Sequence, residues 1–279
     1  MRQYGNVVLV TGASSGIGKA IAEYLAQKGY KVYGTSRKPQ NAAEMGSGGG
    51  SGIPVVNFVR MDVCNEESVK SAVDEIIRRE GELGIVINNA GIGIAGSVED
   101  TSPEEALLQF DTNFFGVHRV IRQVLTIMRR QKKGLIVNIS SVGALFPIPY
   151  QAMYVAGKAA VEAMSGSLRN ELRPFGIKVT VVEPGDVRTG FTKNRMFVKE
   201  SGENSAYAEY CKKSVAVMEK DELNGPDPIV VARAVGKIIE RKNPPVCVAV
   251  GMRYKLLTFM KRLVPKVFES FVVSKMYGG

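Results

Sequence analysis

Residues 7–18 of the chain read VVLVTGASSGIG, so that four consecutive apolar residues lead directly into a glycine-rich segment. An unbroken run of valine and leucine favours a strand that is buried on both faces, as in a parallel sheet. After the glycines, Ile17, Ile21 and Leu25 recur at helical spacing. A strand, a tight turn and a helix in this order suit an anionic group, because the free N–H groups and the dipole at a helix N-terminus favour negative charge.

The same alternation of short apolar runs and amphipathic segments continues along most of the chain. The runs predict strands at 7–10, 31–35, 55–61, 85–87, 135–139, 178–182 and 246–250, and helical periodicity marks 17–25, 69–77, 107–128, 151–172 and 228–240. Apolar strands that alternate with helices are typical of a sheet covered on both sides. We therefore expect one α/β domain over 1–279, a doubly wound parallel sheet of about seven strands with helices on both faces.

The charge and the scarcity of histidine and cysteine narrow the classes of function. The chain has 37 basic and 27 acidic residues, and its net charge of +10 suits a nucleic acid, an anionic membrane or a phosphorylated ligand. Because the basic residues are dispersed, we expect no nucleic-acid partner. One histidine, His118, and three scattered cysteines, Cys64, Cys211 and Cys247, predict neither a metal site nor a disulfide framework. Unpaired cysteines, with no signal peptide or spanning segment, predict a cytoplasmic protein.

Two segments depart from the regular pattern. A Gly/Ser tract at 46–52 lies where a helix should connect the second and third strands, and we expect a flexible loop there, either natural or engineered. The extension at 252–279 combines an apolar stripe with basic residues, and Pro265 is expected to kink it. Such a helix suits peripheral contact with an anionic membrane, or packing on the protein, on a second subunit or over the substrate, and the sequence leaves these alternatives open.

The end of the second strand bears on the identity of an anionic ligand. If the glycine-rich turn binds a dinucleotide, a carboxylate at this position would bind the 2′-hydroxyl of the adenosine ribose. The chain instead has Ser36, Arg37 and Lys38, whose hydroxyl and cationic groups can pair with a 2′-phosphate. This segment therefore favours NADP(H) over NAD(H).

Polar and small residues also follow the third and fourth strands, at the edge of the sheet where ligands bind in open α/β folds. Asp62 and Val63 come after the third strand, where they can reach an adenine; alternatively, Asp62 caps the helix that begins near Asn65. The fourth strand ends in Asn88-Asn89-Ala90-Gly91. Both segments are candidates for contact with the cofactor.

A tyrosine and a lysine four residues apart carry the strongest indication of chemistry. Tyr154 and Lys158 share one face of a predicted helix, and Ser141 follows a predicted strand thirteen residues before the tyrosine. A phenol has a pKa of ~10, and a neighbouring ammonium favours the phenolate and so lowers that pKa. Tyr154 would then exchange a proton with an alcohol or carbonyl oxygen, while Ser141 donates to the same oxygen.

Taken together, these segments closely resemble the short-chain dehydrogenase/reductase family, from Val7 to about Thr189. The family's T-G-x-x-x-G-x-G, N-N-A-G, Y-x-x-x-K and P-G-x-V-x-T patterns are complete at 11–18, 88–91, 154–158 and 184–189, and its catalytic asparagine matches Asn113. The resemblance implies a Rossmann fold and an oxidoreductase that transfers a hydride between a nicotinamide cofactor and a ketone, aldehyde or alcohol.

The resemblance also implies a role for each matched residue. Tyr154 would be the general acid/base, and Lys158 would tune it and hold the nicotinamide ribose. Ser141 would orient the substrate oxygen, and Asn113 would hold a water that links Lys158 to solvent. Ser140 competes with Ser141, although the spacing to the tyrosine favours Ser141. The residues expected to contact the cofactor are Gly12, Ser14, Ser15, Gly16, Ile17, Gly18, Ser36, Arg37, Lys38, Asp62, Val63, Asn89, Ala90, Gly91, Tyr154, Lys158, Pro184, Gly185, Val187 and Thr189.

A partly apolar segment at 189–226 is expected to form a lid over the substrate. Phe191 in this lid, with Phe146 and Tyr150 near the serine, would give the pocket an apolar wall. Such a pocket suits a lipophilic ketone or alcohol. The length and the basic tail resemble family members that act on steroids, retinoids or long-chain lipids. The family is usually dimeric or tetrameric, which implies a homodimer or homotetramer.

Three functions stay open at this point. The leading one is an NADP(H)-dependent oxidoreductase for a lipophilic carbonyl or alcohol, such as a hydroxysteroid. A second is a reductase of small carbonyls or 3-oxoacyl thioesters, whose phosphopantetheine would suit the basic surface. A third is a non-catalytic redox sensor that binds a dinucleotide together with a partner or a membrane. The intact set of Asn113, Ser141, Tyr154 and Lys158 argues against the sensor.

Overall fold

The computed structural model of the chain describes residues 2–38, 55–261, 263 and 273–277. Within these ranges the strands β1 to β9 are Val7–Val10, Lys31–Ser36, Val56–Arg60, Ile85–Asn88, Ile94–Ala95, Gly134–Ile139, Ile177–Pro184, Met196–Phe197 and Cys247–Val250. The helices α1 to α8 are Gly16–Gln27, Glu66–Glu80, Pro103–Phe110, Gly116–Gln131, Ala152–Glu171, Ala208–Leu223, Ile229–Ile239 and Met252–Lys261. The Gly/Ser tract at 46–52 and the expected kink at Pro265 lie outside the described residues.

Seven of these strands form one parallel sheet in the order β3-β2-β1-β4-β6-β7-β9. The chain builds outward from β1 to β3 and then crosses back to place β4 on the other side of β1. The loops that leave the carboxyl ends of β1 and β4 therefore diverge and leave a crevice between them, the usual ligand position in such sheets. The predicted doubly wound Rossmann sheet of seven strands is confirmed.

The two faces of the sheet pack against different helices because successive strand residues point to opposite sides. Val7 and Leu9 of β1 belong to a buried cluster with α2, α4 and α5. Val8 and Val10 belong to a second cluster with α1 and α7. Both faces are thus covered by helices, which explains why the sequence of each central strand is apolar throughout rather than alternating.

The predicted helix at 107–128 differs from the structure at its start and in its middle. α3 begins at Pro103, where Ser102 forms a capping box with Glu105, and a π turn, Asp111–Phe115, separates α3 from α4. The capping box satisfies N–H groups at both residues, which fixes the start of the helix. The apolar periodicity could not reveal the π turn, because such a turn adds a single residue to an otherwise continuous helix.

The segment at 189–226, expected as a lid, contains a helix and one strand of a small sheet, both of which sequence reasoning missed. β8 pairs in parallel with β5, and α6 directs Cys211 and Val215 into a small buried cluster beside β5. The two ends of the segment meet, because the Arg188 N–H donates to the carbonyl of Pro226 at 3.0 Å. The lid is therefore an insertion between β7 and α7 whose two ends lie next to each other.

The helix α8 leaves its apolar residues on the surface. Leu256, Leu257 and Met260 are 59%, 37% and 46% exposed, and none of the residues of α8 is buried. Among the described residues, this part of the predicted apolar stripe is therefore not buried. Within the part of the chain that the structure describes, no helix combines the length and the apolar character that crossing a bilayer requires.

Candidate active site

The glycine-rich turn lies in the crevice, at the carboxyl end of β1. Gly12 and Gly16 have φ angles of +65° and +54°, in the left-handed region that glycine adopts without strain. Gly18 has no room for a side chain, since a Cβ built there would lie 2.3 Å from the carbonyl oxygen of Gly12. The hydroxyl of Ser15, at the N-cap of α1, makes no bond to the first turn of that helix. The first N–H groups of α1 are therefore available to an anion, so this turn fits a pyrophosphate.

The end of β4 holds the glycine-rich turn in place. The Asn89 amide donates to the carbonyls of Thr11 and Gly12 at 3.0 and 3.2 Å. The Thr11 hydroxyl in turn accepts from the N–H groups of Asn89 and Ala90 at 2.9 and 3.0 Å. Asn89, expected to contact the cofactor, thus fixes the shape of the turn that would carry the cofactor.

The end of β2 lies next to the same turn, because the Ala13 N–H donates to the carbonyl of Thr35 at 2.9 Å. Ser36 is half-buried there, and its hydroxyl accepts from the N–H of Lys38 at 3.2 Å. The side chains of Arg37 and Lys38 are exposed. Two cations and a hydroxyl thus stand beside the glycine-rich turn, an arrangement that fits a phosphate group.

For Asp62, after β3, the sequence left two roles open: contact with an adenine, or capping of the next helix. Asn65 caps α2, its side chain accepting from the Ser68 N–H at 2.8 Å. The carboxylate of Asp62 instead accepts from the N–H of Cys64 at 3.0 Å. The alternative role of Asp62 as the helix cap is therefore wrong, and its contact with an adenine stays a prediction, as does that of the buried Val63.

Ser141, Tyr154 and Lys158 meet where β6 ends against α5. The amine of Lys158 lies 5.9 Å from the centre of the Tyr154 ring and donates to the carbonyl of Ile139 at 2.9 Å. The Ser141 hydroxyl lies close enough to the Tyr154 side chain to lower the pKa of the phenol. It also accepts from the N–H of Gly143 at 3.0 Å, which fixes its position. The crevice therefore holds two hydroxyl groups that can contact one substrate oxygen.

Ser140, the competing serine, is directed away from this point. Its hydroxyl donates to the carboxylate of Glu162 at 2.6 Å, and the residue is buried. Burial raises the pKa of Glu162 to about 7, and the bond from Ser140 opposes that rise. Ser140 thus stabilises the half-buried carboxylate of Glu162, and Ser141 is the serine that faces Tyr154.

Burial, rather than the lysine, dominates the pKa of Tyr154. Burial raises this pKa above its ordinary value, whereas the bond from Ser141 lowers it. Burial also lowers the pKa of Lys158 to about 8. In the protein alone the pKa of Tyr154 is thus raised rather than lowered, and Lys158 donates to a backbone carbonyl. That a protonated Lys158 favours the phenolate stays a prediction.

Asn113 lies in the π turn and is fully buried. Its side chain accepts from the N–H of Ile92 and donates to the carbonyl of Ile92, both at 2.9 Å. These two bonds hold the loop after β4 against the π turn. The water expected between Asn113 and Lys158 stays a prediction.

A buried chain of hydrogen bonds behind the site was missed by sequence reasoning. The Asn88 amide donates to the side-chain oxygen of Asn138 at 2.8 Å, and the Asn138 amide donates to the hydroxyl of Ser165 at 2.8 Å. The three residues connect β4, β6 and α5, and Tyr154 and Lys158 lie on α5 while Ser141 follows β6. Asparagine inside two otherwise apolar strands was the available signal, because a buried polar side chain needs a partner.

The lid places Phe191 over Tyr154, with ring centres 5.8 Å apart and planes tilted by 56°. Gly93 permits this contact, since a Cβ there would lie 2.6 Å from the Phe191 ring. The guanidinium of Arg195 lies 5.8 Å from the centre of the same ring and pairs with Glu222. Sequence reasoning predicted Phe191 but missed Arg195 and Glu222, which are separated by 27 residues.

The other two aromatic residues expected in the pocket lie against different elements. The Tyr150 backbone has a φ angle of +59°, and its side chain packs on the cluster formed by β5 and α6. Phe146 lies under the C-terminal helix, where the amine of Lys261 is 4.9 Å from its ring centre. Of the three predicted aromatic residues, Phe191 is the one that the structure brings into ring contact with Tyr154.

The segment at 184–189 is held by the C-terminal helix. The Tyr254 hydroxyl donates to the Asp186 carboxylate and accepts from the Asp186 N–H at 3.1 Å. A Cβ on Gly185 would lie 2.1 Å from the Tyr254 ring. α8 therefore packs directly on a segment in which cofactor contacts are expected.

Comparison with known proteins identifies this arrangement. The short chain dehydrogenase family matches residues 6–197, more than half of the chain. The chain belongs to the short-chain dehydrogenase family. It is therefore an oxidoreductase that acts on alcohol or carbonyl groups, and its structural neighbours bind nicotinamide nucleotides.

Two curated relatives and two solved structures illustrate the similarity. A 3-ketodihydrosphingosine reductase of Bacteroides thetaiotaomicron is 44% identical over 251 residues, 90% of each chain. Retinol dehydrogenase 8 of Bos taurus is 32% identical over 269 residues, 92% of this chain and 85% of its own length. A short-chain dehydrogenase from Streptomyces avermitilis has a TM-score of 0.81 at 31% identity and covers 97% of this chain and 99% of its own. A short-chain dehydrogenase/reductase from Burkholderia phymatum, solved with NAD, has a TM-score of 0.79 at 25% identity and covers 94% of each chain.

Proposed function

We propose that the chain is an NADP(H)-dependent reductase of a long-chain 3-keto sphingoid base, with Tyr154 as the general acid. The observation that carries the proposal is the meeting of Ser141, Tyr154 and Lys158 in the crevice, under the ring of Phe191. The substrate class is supported by the 44% identity to a 3-ketodihydrosphingosine reductase over 90% of both chains. Such a ketone is lipophilic, as the apolar lid favours.

The residues present fit a dinucleotide with a 2′-phosphate. The glycine-rich turn leaves space that a Cβ at Gly18 would fill, and the first turn of α1 offers its N–H groups to the pyrophosphate. Arg37 and Lys38 would pair with the 2′-phosphate, with Ser36 donating to it. When bound, NADPH supplies the hydride that reduces the carbonyl carbon.

The pKa directions suit reduction. Because burial raises the pKa of Tyr154, the phenol holds its proton at neutral pH and can donate it to the carbonyl oxygen as that oxygen gains negative charge. Ser141 would donate a hydrogen bond to the same oxygen. The amine of Lys158, in its protonated form, would stabilise the phenolate left after the transfer, and solvent would return the proton to Tyr154.

The surface of α8 supports contact with a membrane, where a sphingoid lipid would reside. Met252, Leu256 and Phe259 are 82%, 59% and 60% exposed, and the side chains of Arg253 and Lys255 beside them are exposed too. Apolar and basic residues together on one helix suit the surface of an anionic bilayer. We propose that α8 makes this peripheral contact and that it thereby brings the crevice to its substrate.

We propose that the protein self-associates through a second exposed apolar surface, on α3 and the π turn. Leu107, Leu108 and Phe115, on α3 and the π turn, are 64%, 46% and 43% exposed. Three large apolar side chains on neighbouring turns are typical of a surface that another protein covers. A homodimer or homotetramer formed through these helices would cover them.

A panel of carbonyl compounds tests the proposed function. Purified protein would be mixed with NADPH or NADH and with 3-ketodihydrosphingosine, a steroid ketone, retinal, a 3-oxoacyl thioester or a small aldehyde, and loss of the reduced nicotinamide absorbance followed. We expect the highest kcat/KM for the sphingoid ketone with NADPH. A higher value for the thioester or the small aldehyde would support the alternative reductase, and no turnover of any compound would support a redox sensor.

A further inference from the structure

A buried polar cluster lies in the lid, in contact with the ring that covers Tyr154. The side chain of Arg195 is 2% exposed, and that of Glu222, near the end of α6, is 16% exposed. The guanidinium of Arg195 pairs with the Glu222 carboxylate and lies 5.8 Å from the centre of the Phe191 ring. The centre of the Tyr154 ring is also 5.8 Å from the centre of that ring. The cluster is thus separated from the reactive phenol by one aromatic side chain.

Arg195 makes fewer hydrogen bonds than its guanidinium allows. Its Nη2 donates to Glu222, but Nε and Nη1 are buried without a hydrogen-bond partner among the described residues. The carboxylate of Glu219 lies 3.6 Å from Nη1, too far for a good hydrogen bond. Buried donors are nearly always paired, so these two unpaired N–H groups on one guanidinium point to an acceptor that a bound ligand would supply.

The cluster also has an excess of negative charge. Glu219 and Glu222 are two carboxylates around a single guanidinium. The second oxygen of Glu222 accepts from the hydroxyl of Thr192 at 2.6 Å, and a carboxylate oxygen can accept more than one bond. A ligand that brings both a cation and a hydroxyl oxygen would balance the charge and also pair with the free N–H groups of Arg195.

We propose that Glu222 and Arg195 form a binding site for the amino-alcohol head of the substrate. Glu222 accepts from the C2 ammonium, and Arg195 donates to the C1 hydroxyl. The proposal rests on the proposed function, because a 2-amino-1-hydroxy-3-ketone carries both groups beside the carbonyl that Tyr154 and Ser141 would contact. Glu222 is then a residue that determines specificity, and it takes no part in the transfer of hydride or proton.

The first test changes only the ligand. The unmodified protein, with NADPH, would be given 3-ketodihydrosphingosine, its N-acetyl derivative and octadecan-3-one, which share the long alkyl chain. Loss of a hydrogen bond between charged groups should lower kcat/KM for the N-acetyl derivative by about ten- to a hundredfold relative to the free amine. Equal kcat/KM for the three ketones would overturn the site while leaving reduction of long-chain ketones intact.

The second test changes the protein. Glu222→Gln should lower the preference for the free amine over octadecan-3-one by the same factor. Glu209→Gln makes the same change at an exposed position of α6 and should alter that preference less than about twofold. If Glu222→Gln lowers kcat/KM for all three ketones equally, the cluster only holds the lid closed and the proposal is wrong. If the unmodified protein reduces steroids or thioesters but no sphingoid ketone, the proposed function itself has failed.

A melting curve would show whether Glu222→Gln unfolds. If it does, the comparison of the three ketones on the unmodified protein still shows whether the site prefers the free amine. Thr192→Val gives a milder change at the same carboxylate, since it removes one hydrogen bond and no charge. We expect this variant to keep most of the preference for the amine. A loss as large as that of Glu222→Gln would contradict an electrostatic role for the carboxylate.

Discussion

The part of the crevice that would hold the nucleotide and the lid that would hold the substrate are built in different ways. Around the nucleotide, backbone shape dominates: Gly18 leaves no space for a side chain, and Asn89 bonds to the backbone of the glycine-rich turn. In the lid, the contacts join side chains distant in sequence, as between Arg195 and Glu222. A site shaped by the backbone suits a nucleotide that all such enzymes share. A site formed by pairs of side chains can differ between proteins that act on different substrates.

The largest effect is expected from a methyl group placed in the glycine-rich turn. Gly18→Ala puts a Cβ 2.3 Å from a backbone oxygen, so the turn must shift, at a cost of about 3 kcal/mol. In the lid, nothing lies within 4 Å of a Cβ at Gly202, and Gly202→Ala should change stability by less than about 1 kcal/mol. Denaturant unfolding would measure the stability of both variants, and titration with NADPH would measure their affinity for the nucleotide. Equal losses of stability in the two variants would remove the contrast between the two regions.

A pH-dependent effect is expected at Lys158. Its pKa is about 8 in the folded protein, below the ordinary value of 10.5, so the folded state releases this proton first as the pH rises. Stability should therefore increase relative to Lys158→Met between about pH 8 and 10.5, by roughly 2–4 kcal/mol, and stay constant below pH 8. Urea unfolding of both proteins across this range measures the difference. A difference that is flat with pH would show that burial leaves the lysine unperturbed.

A smaller effect is expected from the cations at the end of β2. Arg37→Ala combined with Lys38→Ala should reduce the preference for NADPH over NADH by about ten- to a hundredfold, and less at high salt, because both side chains are exposed. The ratio of kcat/KM for the two nucleotides measures this preference. An unchanged ratio would refute the role given to Arg37 and Lys38.

The smallest effect is expected where the tail meets the crevice. Tyr254→Phe removes the bonds between its hydroxyl and Asp186, and we expect the KM for the nucleotide to rise by about two- to fivefold. Tyr207→Phe removes a comparable bond to Glu99 on the outside of the lid and serves as the control. A rise in KM of the same size for the control would mean that α8 does not position the segment at 184–189.

The contrast between the two regions also explains what could be predicted from the sequence. Buried strands are readable because burial on both faces demands unbroken apolar residues, and β1 lies at the predicted positions. The helix α6 was missed, although Cys211, Val215 and Met218 are buried at helical spacing, because exposed Tyr210 and Val217 obscure the pattern. The pairing of Arg195 with Glu222 depends on how the lid folds back, and no local pattern could reveal it.

In the proposed reaction, hydride enters the carbonyl carbon while Tyr154 supplies the proton. NADPH deuterated at the transferred position, mixed with 3-ketodihydrosphingosine, tests this claim most directly when the product is analysed by mass spectrometry. We predict one deuterium at the new carbinol carbon for the unmodified protein, and a rate lower by about 10²–10⁴ for Tyr154→Phe, a variant that keeps the ring. Product without deuterium, or a Tyr154→Phe rate close to that of the unmodified protein, would contradict the account.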